Sequence, residues 1–133
     1  MKQLFPIAII LSCLMLSCNR YAKYEAMFYP IDSVANEHPD SALRLLKALK
    51  PKIEEAPERV KAYYDLMETK YMINSGARFT SDSVIRAVAD YYERHGGDNH
   101  RMFSKLLLGY VNRTIGNNTE AMLNLEAAAD CAD

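Results

Sequence analysis

The spacing of small and large residues near the C-terminal end constrains this chain most. Between Met102 and Asp133, Leu108-Gly109, Gly116, Ala121, Leu125 and Ala128 fall at offsets that suit two short antiparallel helices in tight contact. Gly109 and Ala121 let the two backbones approach closely, while Leu108 and Leu125 fill the space beside them. Gly116 suits the left-handed residue that ends the first helix. The surrounding composition agrees with helix: Ala, Leu, Met, Glu, Lys and Arg dominate and β-branched residues are sparse. The class expected is all-α.

Upstream, similar helix signals recur. Tyr21, Tyr24 and Phe28 lie three and four apart and share one helical face, with Pro30 expected to break or restart that helix. Ile31 to Glu37 reads as a short helix closed by His38-Pro39. Asp40 to Leu49 is amphipathic, with Ala42, Leu45, Leu46 and Leu49 as its apolar stripe and Pro51 as its stop. Lys52 to Ala56 is then a charged linker. A long helix from Glu58 to about Ile73 buries Ala62, Tyr63, Leu66, Met67 and Ile73, and Gly76 offers a left-handed cap. Thr80-Ser81-Asp82 supplies N-capping side chains for a helix carrying Val84, Ile85, Val88, Ala89 and Tyr92 inward. The next helix, through Met102, Phe103, Leu106, Leu107 and Tyr110, ends at Gly116. The last buries Ala121, Met122, Leu125 and Ala128. Short connections make neighbouring helices antiparallel.

The N-terminus has the layout of an export signal. Met1-Lys2-Gln3 is a short positive start, and Leu4 to Leu16 is an uncharged apolar run of thirteen residues. A membrane-spanning helix needs about 20. Leu14-Met15-Leu16-Ser17-Cys18 resembles the bacterial lipobox, in which the cysteine is lipidated and the leader cut before it. Ile10-Leu11-Ser12-Cys13 is a poorer match, because cleavage there leaves too short an apolar run. The chain therefore divides into a lipoprotein signal peptide (1–17), a lipidated tether (18–30) and a helical domain (31–133). A tri-acylated Cys18 would hold the protein on its membrane, since one acyl chain binds marginally and two or more hold stably. The lipobox resemblance implies that Asn19-Arg20, lacking the acidic surface-export cluster some lipoproteins of the Bacteroides group carry, favours an outer-membrane anchor facing the periplasm.

The C-terminal hairpin resembles a tetratricopeptide repeat, a helix–turn–helix unit of about 34 residues. Leu108-Gly109 matches its Leu-Gly pair, Gly116 its turn glycine, Ala121 and Ala128 its small positions and Leu125 its large one. Lys105 and Asn112 stand where aromatic residues are usual. His38-Pro39-Asp40-Ser41-Ala42-Leu43 and the Ala62–Tyr92 stretch resemble looser units. With the lipobox, the chain is similar to tetratricopeptide-repeat lipoproteins of the Bacteroides type. The resemblance implies antiparallel hairpins stacked as a right-handed solenoid, in a bacterial cell-envelope protein. It also implies a capping helix after the last repeat, so an exposed end, or a chain continuing past Asp133, is expected.

No catalytic constellation emerges, and the expectation is a non-enzyme without cofactor or metal. His95, Asp98 and His100 lack zinc-ligand spacing and suit turn positions. Ser81-Asp82-Ser83 is explained by helix capping, and Cys131 has no basic neighbour in sequence to activate it. A net charge of −1 gives no basic field for nucleic acid. Asn112-Arg113-Thr114 and Asn117-Asn118-Thr119 match a glycosylation pattern that carries no meaning by itself in a bacterial chain. The function expected is a membrane-anchored scaffold whose concave face holds a protein or peptide partner. Its candidate partner-binding residues are Lys61, Tyr64, Lys105 and Asn112, taken as outward-facing. Of the tyrosine pairs 63/64 and 91/92, one member packs inside and the other lines a groove. The alternative function is the N-terminal sensing or adaptor part of a longer membrane-associated signalling regulator.

Overall fold

A computed structural model describes residues 21–132, so the expected signal peptide (1–17), Cys13, Cys18 and Asp133 lie outside the described residues. These residues form helices joined by turns, with no strand among them. The helices are α1 (21–35), α2 (Pro39–Ile53), α3 (Glu58–Asn74), α4 (Ser83–His95), α5 (Asp98–Thr114) and α6 (Asn118–Asp130). From α2 onward each helix packs on the next, α5 and α6 most extensively, and α3 also touches α5.

The central helix explains the layout of the core. Val60, Tyr64, Met67 and Tyr71 lie on one face of α3 and join Phe28, Ile31 and Ala35 of α1 and Ala42, Leu46 and Ile53 of α2. Ala62 and Leu66 lie on the other face and join Ile85, Val88, Ala89 and Tyr92 of α4 and Leu107, Leu108 and Val111 of α5. Each set repeats at three- or four-residue intervals, so one helix feeds two cores. Such a helix shows no single apolar stripe, which is why its buried positions were only half legible. Tyr64 is buried and Tyr63 is half-buried, the reverse of the expected order.

Two prolines are tolerated inside helices. Pro30 lies within α1, where Ser33 Oγ donates to its carbonyl at 2.7 Å. Pro51 lies inside α2, which runs on to Ile53. The segment expected as a linker thus contributes two buried residues, Ile53 and Ala56. Residues 21–30 are helical, as the spacing of Tyr21, Tyr24 and Phe28 predicts, and place Phe28 in the core.

The helix ends follow local chemistry. Gly76 (φ 70) and Gly116 (φ 89) are the positive-φ glycines. At the first, Gly76 N–H donates to the Ile73 carbonyl at 3.0 Å and Ala77 N–H to that of Met72 at 2.9 Å. At the second, Gly116 N–H donates to Arg113 at 3.2 Å and Asn117 N–H to Asn112 at 2.8 Å. Both are Schellman closures, which satisfy carbonyls the helix leaves open. At the start of α4, Ser81 Oγ accepts the Ser83 N–H at 3.1 Å. The Asp82 carboxylate turns instead to Arg86, whose Nε donates at 3.1 Å, and this bond holds the Asp82 carboxyl below its usual range.

Three apolar residues expected inside face solvent, Leu45, Val84 and Met122, and Leu125 is partly exposed. Leu45, Val84 and Met122 lie off the line that their helices turn to a neighbour, whereas Leu125 meets Gly109 of α5. On α2 that line is Ala42, Leu46 and Ile53. On α6 only Ala121 and Ala128 are buried, seven residues apart on the face toward α5.

Candidate functional site: an aromatic cleft

α1, α3 and the α4–α5 turn enclose a cleft of about 640 Å³, within the size range of ligand sites. Each wall follows from local structure. The α1 stripe brings Tyr21, Tyr24 and Phe28 to one side. Phe28 packs edge-on against Tyr63 of α3, with ring centroids 5.0 Å apart. Arg59, at the start of α3, lays its guanidinium over the Tyr21 ring, 5.0 Å from the centroid. Tyr29 adds a ring at the rim that is 77% exposed.

The far wall depends on Gly96. A Cβ there would lie 2.8 Å from both Cδ1 and the carbonyl oxygen of Tyr92, so only glycine permits this close turn. The turn swings α5 back so that His100 stacks on Tyr92 at 4.8 Å, nearly parallel. His95, one turn beyond Tyr91, packs on that ring at 4.9 Å. The two tyrosines meet edge to face at 5.4 Å.

Asp32 ties α1 to α3. Its carboxylate accepts the Tyr63 hydroxyl at 3.3 Å and also the Tyr71 hydroxyl. Burial, then the Asp32 charge and hydrogen bond, push Tyr63 up to about 12. Burial, followed by the bond to Asp32, drives Tyr71 higher still. Burial likewise pushes Tyr92 up to about 12. These hydroxyls therefore stay protonated near neutrality, as hydrogen-bond donors and not as nucleophiles. Among the described residues no group of three His, Cys, Asp or Glu side chains is placed to hold a metal ion. The half-buried Cys131 is not in the cleft.

The residues expected from the sequence divide sharply. Gly109, Ala121 and Ala128 are buried where α5 meets α6, Leu108 is buried in the second core with α3 and α4, and a Cβ at Gly109 would lie 2.8 Å from Leu125 Cγ. Leu125 itself sits at the edge, 37% exposed. Of the partner-binding candidates, Tyr64 is only 2% exposed and Asn112 is fully buried, so neither presents a surface. Tyr64 packs in the first core, with residues of α1 and α2. Asn112 is held by the helix end: its amide donates to the Leu108 carbonyl at 3.0 Å and its Oδ1 accepts from Asn117 at 3.3 Å. Lys61 and Lys105 reach solvent but meet acids of the same chain, Glu58 at 3.4 Å and Glu93 at 2.8 Å. None of these four residues lines the cleft.

The tyrosine pairs supply the cleft differently from the candidate set. Tyr63 and Tyr91 line it half-exposed, while Tyr64 is wholly internal. Sequence reasoning missed Arg59, Asp32, Glu25 and the histidines as parts of one site. The only signal was the aromatic stripe at Tyr21, Tyr24 and Phe28. Among the described residues no helix is long and apolar enough to cross a membrane. Neither protein-family models nor curated proteins match this sequence, and no solved structure matches the fold.

Proposed function

We propose that the chain is a helical-repeat interaction module that receives a segment of a protein partner in its aromatic cleft. The observation that carries this reading is the cleft itself, which exposes several tyrosine rings in a concave site. Tyrosine offers contact area with few rotatable bonds to immobilise, which suits it to binding surfaces. The tetratricopeptide arrangement belongs to the same proposal. It is supported by the close approach at Gly109, the paired closures at Gly76 and Gly116, and the contact of α3 with both α4 and α5.

Lipid at Cys18 would hold this module on the envelope membrane, facing the periplasm. The lipobox-like run before Cys18 supports that half. Membrane fractionation tests it: a Cys18→Ala form that still sediments with membranes after a salt wash refutes the anchor. For the cleft, selection of a displayed random-peptide library on the full chain is the test. Binders are expected to lose affinity on Tyr29→Ala with Tyr91→Ala and to keep it on Leu45→Ala. Binders indifferent to the tyrosine changes overturn the reading.

A second reading makes the domain the sensing part of a longer signalling regulator. It draws on Leu106, Tyr110, Met122 and Leu123, apolar residues exposed on α5 and α6 that an adjoining element could cover.

A further inference from the structure

We infer that the aromatic cleft selects a cationic side chain, so that the partner segment it receives carries lysine or arginine. This inference rests on the cleft being the binding site. Charge is the first argument. Among the described residues, Glu25 and Asp32 of α1 line the cleft against the single guanidinium of Arg59. Leaving the two histidines aside, the described lining carries an excess of negative charge, which attracts a cation and repels an acidic segment.

The rings are the second argument. A tyrosine face carries negative electrostatic potential and attracts a cation within about 6 Å of its centroid. The protein already uses that attraction here, since Arg59 lies 5.0 Å from the Tyr21 centroid. Among the described residues Arg59 has no carboxylate within ion-pair distance, so the ring is its evident partner. Tyr24, Tyr29 and Tyr63 continue the same surface, and among the described residues no cation of the chain lies over their rings. A second cation entering beside Arg59 would meet these faces and the Glu25 carboxylate, which is exposed and free of ion pairs among the described residues. Asp32 is less available, because it already accepts two tyrosine hydroxyls.

The two charged residues make opposite predictions. Glu25 would attract the incoming cation, and Arg59 would compete with it. Fluorescently labelled oligolysine, oligoglutamate and neutral tyrosine–alanine peptides, capped at both ends, are titrated against the full chain by anisotropy. Oligolysine is expected to bind and to lose affinity on Tyr29→Ala. Glu25→Gln should weaken it by about two- to five-fold, the range of an exposed charge pair, and Arg59→Gln should tighten it. Added salt should weaken it further. Glu25 and Arg59 are exposed, so neither change threatens the fold.

Oligoglutamate binding more tightly, or Arg59→Gln weakening oligolysine, overturns the selectivity and leaves the cleft reading standing. The neutral peptide binding as well as oligolysine, with both sensitive to Tyr29→Ala, does the same. No peptide binding at the cleft, together with an empty library selection, overturns both.

Discussion

Gly109→Ala sets two effects of similar size against each other. Alanine favours helix over glycine by about 1 kcal/mol, so in an open position the change would stabilise α5. The new methyl is not in an open position. It would lie 2.8 Å from Leu125 Cγ, 2.9 Å from Leu125 Cδ2 and 3.1 Å from the Ala121 carbonyl oxygen. The Cγ is the branch point of its side chain and the carbonyl belongs to the backbone of α6, so neither yields as a flexible tip would. Overpacking of this kind costs roughly 1–3 kcal/mol. The steric term should win, leaving a net loss of about 1 kcal/mol, or roughly 4 °C in Tm for a domain of this size. Leu125→Ala removes two of the three close contacts, and in that background Gly109→Ala should become neutral or stabilising. Urea unfolding followed by helical circular dichroism measures all four proteins, with the midpoint moving and the slope unchanged. Stabilisation by Gly109→Ala in the native background would refute the close-approach argument. So would additivity of the two changes within about 0.3 kcal/mol.

Other consequences follow from particular sites. Gly116→Ala should cost about 1–2 kcal/mol from backbone conformation alone, because φ is +89° and no atom lies within 4 Å of the added Cβ; an unchanged urea midpoint refutes this. Asn112→Ala should cost about 1–3 kcal/mol through a lost buried amide and the partner left at Asn117, and a loss under about 0.5 kcal/mol would show that the amide is not holding the turn. Tyr63, Tyr64 and Tyr92 are pushed up to about 12 and Tyr71 higher, all chiefly by burial, from an ordinary value of 10.0. Their folded forms hold protons that the unfolded chain releases, so this stabilisation is complete below about pH 10 and is lost as pH rises toward and through 12. Urea midpoints that stay flat from pH 9 to pH 11.5 would contradict the burial of these rings.

Some features were legible because one residue decides them. The left-handed closures at Gly76 and Gly116 need only a glycine at the end of an apolar repeat, and the α1 aromatic stripe needs only helical spacing. The small residues at 109, 121 and 128 announced close packing because no larger residue could stand there. Which way a helix turns is a different matter, since it depends on what lies beside it. Tyr64 and Asn112 were taken as outward, yet each has a neighbour that the local sequence does not name. Leu45, Val84 and Met122 were taken as inward, although they are exposed among the described residues.

By itself, then, the amino-acid order determined an all-helical chain, most of its turns and the tight seam between its last two helices. These are set by interactions across a few residues or by the absence of a side chain. Only the tertiary structure decided that α3 would feed two cores, that Tyr63 and not Tyr64 would be accessible, and that a cleft would form at all. The cleft joins α1 to residues as distant in sequence as His100, and such a meeting arises from how helices stack, which no local pattern of residues encodes.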